Sequence, residues 1–352
     1  AIWLLHPLNL TSVLYIVQRM TSLAAGFTFL ATGLYILGRQ RLLQESGRNG
    51  WSLILCGVLG AGTLAILSKE TGALVPPLLL VIEITLFKFA CAEERDKRWL
   101  TIIFLVAVLL PLLLFMWATA TNSPYLYGGY VSRDFDMTER VLTQARVLWF
   151  YLQLICVPSL TSLGLYHDDF VMSRALLAPP QTLVAIVGLG FLLAIAVASI
   201  RKLPVLAFGV FWFFTGHLIE STTIPLEMVH EHRNYLPCLG PIFTVAYYGC
   251  IVGVSPDSVK WRRGAIVLMA LLFAVITWLR SEQWGNILTH TVQEVTNHPK
   301  SERANQQLGR IYFMLYADDP KQKYFDEAKV AFERARRSRS INSLAHVSLL
   351  QL

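Results

Sequence analysis

Long apolar blocks alternate with short polar segments along most of the chain. The blocks contain roughly 17 to 21 residues each, close to the ~20 residues that an α-helix needs to cross the hydrocarbon of a bilayer. Eight of them cover residues 21–38, 51–68, 72–89, 99–119, 181–200, 203–222, 237–254 and 264–280. The pattern predicts an all-α fold, with a polytopic transmembrane domain of about eight complete spans over residues 1–281.

A further apolar stretch, residues 141–159, is short and is interrupted by Gln144, Arg146 and Gln153. If it crossed the membrane, every later loop would change sides and the distribution of Lys and Arg would invert. We therefore predict an interfacial or re-entrant helix inside a long loop, residues 120–180, on the outer face.

The composition agrees with a membrane protein, because 55% of the residues are hydrophobic and only 15% are charged. Soluble domains average about 25% charged residues, so the net charge of +7 does not indicate nucleic-acid binding. The loops after the first, third, fifth and seventh spans hold twelve Arg and Lys, whereas the longer alternate loops hold seven. By the positive-inside rule the first set is cytoplasmic.

Five pieces of the chain are therefore predicted to lie on the outer face. They are the His6 loop, the Lys69–Glu70 turn, residues 120–180, the Glu231 loop and everything after about residue 281. Ionisable groups that could act on a substrate concentrate in these pieces. The inner loops hold mainly Arg and Lys, and no nucleotide-binding P-loop occurs in the sequence.

After the last span the chain becomes polar, and residues 282–352 have the pattern of paired helices. Small and aromatic residues recur there at the spacing of a tetratricopeptide (TPR) repeat. They are Leu308, Gly309 and Tyr312 on a first helix and Ala328, Phe332 and Ala335 on a second. We predict the start of a TPR α-solenoid in which Phe332 fills the gap between the two helices. Both ends of the chain have the pattern of interrupted helices, so we expect a fragment of a longer protein.

The five cysteines are scattered, odd in number and mostly inside apolar segments, so they form neither a metal cluster nor a disulfide framework. The His and acidic residues also lack the spacing of metal ligands, and no metal is expected. The lack of a disulfide pattern favours a bacterial inner membrane over the endoplasmic reticulum.

The segment "PLEMVHEHRNYLP", residues 225–237, gathers two acids, two histidines and an arginine between two apolar blocks. Glu231 and His232 have the chemistry for acid–base or metal-assisted steps, and Arg233 could bind a phosphate through its planar guanidinium. The alternative is a hydrated turn whose charges pair locally.

The turn "SKETG", residues 68–72, places Lys69 where it could neutralise a lipid-linked phosphate. Alternatively, Lys69 and Glu70 pair with each other or extend into water. His6, Pro7 and Arg19 lead into the first span, where a lone arginine is usually an interfacial anchor.

Two further sets of ionisable residues are candidates. In "LYHDDF", His167, Asp168 and Asp169 could bind a cation or act as a base, although a solvated turn is the simpler interpretation. His217 and Glu220 are three residues apart and would share a helix face that links the span to the Glu231 loop.

One ionisable residue is predicted inside the membrane domain, on the cytoplasmic side. Glu83 lies toward the inner end of the third span, in "LLLVIEITL". A carboxylate at this depth needs a partner of opposite charge. Lys88, five residues later, could be that partner.

Several segments together resemble the transmembrane-and-TPR-containing protein O-mannosyltransferases and their bacterial relatives. These are "HPLNLTSVLYIVQRMTSLAA", "LSKETGALVPPLLLVIE", "LICVPSLTSLGLYHDDF" and "PLEMVHEHRNYLPCLGP", followed by the TPR pattern. The resemblance covers essentially the whole chain and implies a GT-C glycosyltransferase fold with TPRs on the periplasmic or lumenal side. The family's motif positions fall on His6, Pro7, Arg19, Ser68, Lys69, Glu70, Glu231, His232, Arg233, Tyr235, Leu236 and Pro237.

The resemblance implies transfer of a sugar, mannose or similar, from a polyprenyl-phosphate carrier to Ser or Thr of a protein. The family's catalytic carboxylate is expected in an outer loop before Ala1, so the catalytic residue is unknown here, with Glu231, His232 and Asp168 as supporting candidates. Candidates for substrate binding are Arg233, then Lys69 and Arg19, and then Glu70, His6 and Tyr235. The lipid-linked sugar is a substrate, so no cofactor is expected. The expected partners are this lipid, membrane lipids and an acceptor polypeptide on the TPRs, and not a nucleic acid.

Two other functions remain open from the sequence. One is a different outer-face enzyme that uses polyprenyl-linked glycans, such as an O-antigen ligase, a polymerase or an oligosaccharyltransferase, which moves a glycan of many sugars. The other is a non-catalytic membrane anchor whose TPRs recruit partners.

Overall fold

The computed structural model describes residues 1–44, 47–121, 123–252 and 256–338, which form helices and turns without a β-strand. The longer helices, numbered here in chain order, account for most of these residues. They are α1 (Ile16–Gln44), α2 (Arg48–Ser68), α3 (Glu70–Phe87), α4 (Glu94–Ala120), α5 (Met137–Cys156), α6 (Gln181–Ser199), α7 (Pro204–Gly216), α8 (Leu239–Cys250), α9 (Pro256–Gln283), α10 (Ile287–Asn297), α11 (Glu302–Asp318) and α12 (Gln322–Arg337).

Six helices among the described residues are long and apolar enough to cross a membrane, as expected for a multi-pass membrane protein. They are α1, α2, α3, α4, α6 and α9, and they match six of the eight predicted spans. In the other two predicted spans, residues 203–222 and 237–254, the helices are shorter. Helix α7 has 13 residues and α8 has 12, and residues 253 and 254 lie outside the described part of the chain.

Helix α7 ends at Gly216, and a turn follows it. The carbonyl groups of Glu220 and Thr222 accept hydrogen bonds from the Arg140 guanidinium instead of from a continuing helix. His217 and Glu220 therefore lie in a turn, and the prediction that they share a helix face is wrong. Helices α7 and α8 pack closely because a Cβ atom on Gly240 would lie only 2.5 Å from the carbonyl oxygen of Gly209.

A buried ion pair joins α1 and α3 near one end of the membrane helices. Arg39 Nε lies 2.8 Å from Glu83 Oε2, Arg39 Nη2 lies 2.9 Å from Glu83 Oε1, and Tyr35 donates a further hydrogen bond to Glu83. Arg39 and Glu83 are fully buried. The prediction that Glu83 pairs with Lys88 is wrong, because Lys88 is exposed in a left-handed turn with φ 55°.

Helix α5 corresponds to the stretch predicted to be interfacial or re-entrant, and it is not among the six membrane-length apolar helices. Near its start, Arg140 bonds to the loop after α7. Near its end, the carbonyl group of Ile155 lies 3.0 Å from His6 Nε2. Both ends of α5 thus lie beside segments predicted on the outer face, while its position relative to the bilayer stays a prediction.

Helices α11 and α12 form a hairpin in which Phe332 lies between them, as the sequence predicts. A Cβ atom on Gly309 would be 2.6 Å from the Phe332 ring, and Ala328 and Ala335 are fully buried. Helix α10 packs against α11. The continuation of this hairpin into a TPR solenoid stays a prediction, and residues 339–352 lie outside the described part.

The five pieces predicted on the outer face meet at one end of the molecule. Lys69 contacts Glu220, and Arg140 contacts Thr222 two residues later. Glu231 contacts Arg280 and Gly164. Arg303 contacts Glu227. Along α1, Thr21 at this end and Arg39 at the other are separated by about 27 Å, at 1.5 Å per residue. This separation is close to the ~30 Å thickness of bilayer hydrocarbon.

Candidate functional site

Glu220, in the turn after α7, is the centre of a buried charged cluster. Lys69 Nζ lies 2.9 Å from Glu220 Oε1 and also donates to Thr21 Oγ1 at 3.2 Å. Arg233 Nε lies 4.0 Å from the same Glu220 oxygen. Glu220 thus links α7 to the Glu231 loop, as the sequence predicts, and joins three distant segments of the chain.

Lys69 is directed inward by the turn between α2 and α3. Lys69 alone has extended backbone angles (φ −160°, ψ 149°) between the two helices. Gly72 makes this turn possible, since a Cβ atom there would lie 2.2 Å from the carbonyl carbon of Ala65. Lys69 is buried and Glu70 is exposed, so both alternatives for Lys69, pairing with Glu70 and extending into water, are wrong.

Arg233 lies in a short helix, Glu231–Asn234, whose residues are all nearly inaccessible to solvent. Its Nη1 donates to the carbonyl groups of Glu227 (2.7 Å) and Met228 (3.0 Å). Its Nε is buried without a hydrogen-bond partner among the described residues. The hydrated-turn interpretation of this segment is wrong, because Glu231, His232 and Arg233 are exposed by 2%, 7% and 5%.

Arg140 in α5 is a third cation of the cluster, and sequence reasoning missed it. It is completely buried and donates to the carbonyl groups of Glu220 at 2.7 Å and Thr222 at 2.8 Å, and also to Leu226. Within the described residues no carboxylate pairs with it. The only signal in the sequence was that Arg140 and Gln144 are four residues apart, and therefore on one face of a helix.

Two cations, Lys69 and Arg233, thus share the carboxylate of Glu220, while the third, Arg140, bonds to the backbone carbonyl group of the same residue. Burial alone would raise the pKa of Glu220, but the charges of Lys69 and Arg233 outweigh it and hold the pKa below its ordinary value. Burial, and then the neighbouring His230, Lys69 and Arg233, lower the pKa of His232. His232 is therefore neutral, and the cluster carries an excess of positive charge.

A small cavity of about 20 Å³ adjoins this cluster and is large enough for a water molecule. Its polar lining consists of hydroxyl, imidazole and charged groups, from Thr21, Thr28, Thr71, Glu220, His232 and Arg233. Guanidinium and hydroxyl groups are hydrogen-bond donors suited to an oxyanion. The arrangement is therefore chemically suited to binding an anion, and a group larger than water requires the cavity to widen.

Glu231, a supporting candidate for catalysis, is engaged in a separate ion pair. Its Oε2 lies 2.5 Å from Arg280 Nη2 at the end of α9, and its Oε1 accepts a hydrogen bond from Gly164 N at 2.7 Å. Arg280 also donates to the Pro7 carbonyl group at 2.8 Å, next to His6. Burial alone would raise the pKa of Glu231, but Arg280 lowers it. Glu231 is ionised and joins its loop to α9 and to Gly164, while Arg280 joins α9 to the His6 loop.

Glu227 joins the loop that carries Glu231 and Arg233 to the C-terminal helices. Arg303 in α11 binds its carboxylate through both Nη atoms, with one distance of 2.7 Å, and His230 Nε2 lies 2.7 Å from Glu227 Oε2. Burial alone would raise the pKa of Glu227, but His230 and Arg303 lower it to about 2.

The "LYHDDF" segment docks against α10 and α11. Asp168 accepts a hydrogen bond from Ser301 Oγ at 2.5 Å, and Asp169 lies 3.1 Å from His298 Nδ1. His167 is buried, with Nε2 3.9 Å from Glu231 Oε1. The solvated-turn interpretation is therefore wrong for His167 and Asp169. Asp168, another supporting candidate, contacts α11 and not the Glu220 cluster.

The remaining candidates lie at the margin of the cluster. Arg19 is exposed near the start of α1, where its Nε donates to the Val13 carbonyl group at 3.1 Å. Glu70 is exposed beside Lys69. Tyr235 is half-buried, and its carbonyl group accepts a hydrogen bond from Trp3 Nε1 at 2.9 Å. The structure thus brings Lys69, Arg233 and His232 together, whereas Arg19, Glu70 and Tyr235 do not line the cavity beside Glu220.

No group of three or more metal-ligating side chains occurs within the described ranges of the chain. Comparisons with family models, with curated proteins and with solved structures found no match to this chain.

Proposed function

We propose that the protein is a GT-C-type glycosyltransferase that moves a sugar, mannose or a similar one, from a polyprenyl-phosphate carrier to Ser or Thr of a polypeptide. The observation that carries this proposal is the buried cluster beside a cavity, in which Lys69 and Arg233 share the Glu220 carboxylate and Arg140 has no carboxylate partner among the described residues. An isolated buried charge is costly unless it is paired. The excess positive charge therefore favours an anionic ligand at this end of the membrane helices.

The charge of a phosphate changes during this reaction in a way that suits the cluster. A polyprenyl-phosphate sugar is a diester with one negative charge. The hydroxyl oxygen of Ser or Thr attacks the anomeric carbon, the bond from that carbon to the phosphate oxygen breaks, and the hydroxyl proton passes to a carboxylate base. The phosphate monoester that leaves carries about −1.5 to −2 near neutral pH. Cations beside it thus stabilise the transition state more than the substrate.

Arg233 and Lys69 have different roles in this proposal. Arg233 Nε is buried without a hydrogen-bond partner in the described structure, so it can donate to a phosphate oxygen without breaking an existing bond. Lys69 is already paired with Glu220 and would share its charge between carboxylate and phosphate. Arg140 donates to backbone carbonyl groups and would contribute charge from a greater distance.

The proposal also places the acceptor polypeptide at the same end of the molecule. Arg303 and Glu227 connect α11 to the loop that carries Arg233. If α10 to α12 begin a TPR array, their surface would bring an acceptor segment toward this loop. We propose that this end faces the periplasm of a bacterial inner membrane.

The test is a transfer assay with the full-length protein in lipid vesicles. The donor is polyprenyl-phosphate mannose, the acceptor is a Ser/Thr-rich peptide, and mass spectrometry measures the added mass. We expect one sugar per modified hydroxyl, and a loss of about 100-fold or more in rate for Arg233→Ala and for Lys69→Ala. The control Arg310→Ala, on the exposed face of α11, should retain at least half of the rate. Unchanged transfer by both site variants would disprove the site.

The same assay separates the other functions. Addition of a glycan of many sugars would show a ligase, polymerase or oligosaccharyltransferase. Absence of transfer from any polyprenyl-linked donor, together with loss of cellular function on altering the surface of α11 and α12, would show a scaffold.

A further inference from the structure

A second, larger groove lies between α5 and α6. It has a volume of about 700 Å³, within the ~300–1,000 Å³ typical of ligand sites. Its lining is predominantly apolar and includes Trp149, Phe150, Phe170 and Val184, with Arg146 among the polar residues. Trp149 connects its two walls, since its Nε1 donates to the Ala185 carbonyl group of α6 at 2.9 Å.

The groove is separated from the Glu220 cluster by α5 itself. Arg140, Gln144 and Tyr151 follow one side of α5 and bond to the loop of residues 220–230. Arg146 and Trp149 lie about 240° and 180° around the helix from Arg140, at 100° per residue. The two sides of α5 therefore serve different contacts, and a molecule in this groove does not touch the Glu220 cluster.

One wall of the groove is a helix that is long and apolar enough to cross the membrane. Helix α6 contributes Val184 to the lining, and Val184 and Val187 are 71% and 62% exposed. In a bilayer such a surface meets hydrocarbon chains. Tryptophan is enriched where hydrocarbon meets the headgroup region, which is consistent with Trp149 in the groove.

Arg146 gives the groove a positive charge. Its Nη1 donates to the carbonyl group of Val171 at 2.7 Å, and its guanidinium lies over the Phe170 ring, 5.1 Å from the centroid. Among the described residues it pairs with no carboxylate. An apolar groove with an uncompensated guanidinium at its polar rim is complementary to a molecule that has a hydrocarbon chain and an anionic head.

We propose that this groove binds an anionic phospholipid of the bilayer, with an acyl chain along Trp149 and Val184 and the phosphate at Arg146. A zwitterionic phospholipid fits the apolar part equally well. Its headgroup adds a positive charge near Arg146, so the guanidinium selects the anionic lipid. This proposal does not depend on the glycosyltransferase assignment, because the residues involved are separate.

Native mass spectrometry of the purified full-length protein tests the proposal. The protein is incubated with equimolar phosphatidylglycerol and phosphatidylcholine that carry the same acyl chains. We expect about fivefold more retained phosphatidylglycerol, since one cation near an anionic headgroup contributes a factor of this size. Arg146→Gln should abolish the preference, Arg146→Lys should keep it, and Val184→Trp should reduce retention of both lipids by obstructing the groove. The matched control Arg310→Gln should behave as the unmodified protein.

Two outcomes would overturn the proposal. One is equal retention of both phospholipids by the unmodified protein, or an unchanged preference in Arg146→Gln. The other is displacement of phosphatidylglycerol by equimolar polyprenyl phosphate, which would make the groove a site for the donor lipid. Arg146→Lys and Val184→Trp keep the test decisive if Arg146→Gln fails to fold.

Discussion

Glu220 neutralises part of a cluster whose members come from widely separated positions in the sequence. Its carboxylate pairs with Lys69 from the turn between α2 and α3 and approaches Arg233 from the loop before α8. Removing the acid would leave Lys69 buried without a counter-charge, and breaking such a pair typically costs about 3–5 kcal/mol.

We predict that Glu220→Gln lowers the thermal unfolding temperature and that polyprenyl phosphate restores part of the loss. The added anion replaces the missing carboxylate as the partner of Lys69 and Arg233. Thermal unfolding in detergent, followed by intrinsic fluorescence with and without the lipid, measures both effects. If polyprenyl phosphate raises the unfolding temperature of Glu220→Gln no more than that of the unmodified protein, the result would contradict an anion site here.

Arg140 holds the loop of residues 220–227 through carbonyl groups. We predict that Arg140→Met lowers the free energy of unfolding by about 3 kcal/mol or more, because several buried carbonyl groups lose a charged donor. Arg310→Met, at an exposed position, should change it by less than about 0.5 kcal/mol. Denaturant titration in detergent compares the two. Equal losses in the free energy of unfolding for the two variants would mean that Arg140 is not needed to hold the loop.

At this scale the sequence identifies types of residue better than their partners. Arg233, Lys69 and His232 are candidates because clusters of ionisable groups near a membrane boundary mark possible sites, and the structure brings them together. Glu220, the common partner of Lys69 and Arg233, is predicted only to link the span to the Glu231 loop, and Arg140 is not among the predicted candidates. Ion pairs between distant segments depend on the packing of helices, which local spacing does not specify.

At the scale of elements, the contact between the "LYHDDF" segment and α10 contains a titratable pair, Asp169 and His298. Burial alone would lower the pKa of His298, but its hydrogen bond and charge interaction with Asp169 raise it above 6.5. Burial alone would raise the pKa of Asp169, but the interaction with His298 lowers it below 3.8. The contribution of His298 to the stability of this contact is complete below pH 6.5 and is lost as the pH rises through the raised pKa. The Asp169 contribution is present above pH 3.8 and is lost as pH falls through the lowered pKa.

We therefore predict that α10 is docked most stably between about pH 4 and 6.5. Hydrogen exchange of the α10 amides, corrected for the intrinsic pH dependence, should show weaker protection at pH 8 than at pH 6. His298→Asn should remove this difference. A difference of the same size in His298→Asn would assign it to other groups.

Gly309 lets α11 and α12 approach each other. We predict that Gly309→Val destabilises the hairpin by about 1–3 kcal/mol, because the added atoms overlap the Phe332 ring. Limited proteolysis between α11 and α12 should be faster in this variant. Gly264→Val in α9, where the structure has open space, is the matched control. Equal cleavage rates would show that the close approach is unimportant.

Elements with a long periodic pattern were predicted well from the sequence. Six of eight spans and the α11–α12 hairpin agree with the structure, since apolar length and small-residue spacing are local properties. Helices α7 and α8 are shorter than predicted. The loop between these helices is held by Arg140 and Arg280, whose side chains come from distant positions in the sequence.

At the scale of the whole molecule, polar clusters lie near both ends of the membrane helices. One contains Lys69, Glu220 and Arg233, and the other contains Arg39 and Glu83. We predict that single cysteines introduced at Arg174 and Arg310 react with a membrane-impermeant maleimide in intact cells, while cysteines at Lys97 and Lys260 react only after permeabilisation. The reverse pattern would place the Glu220 cluster in the cytosol and contradict the proposed donor side.

The buried Arg39–Glu83 ion pair at one end of the membrane helices is indifferent to the membrane potential. A voltage acts on charge, at about 2.3 kcal/mol per elementary charge for 100 mV, and the charges of this pair sum to zero. At the other end Lys69, Arg140 and Arg233 exceed Glu220, so an electric field exerts a net force there. With that end outward and the cytosol negative, the force is directed into the bilayer, and an energised membrane would draw these cations inward.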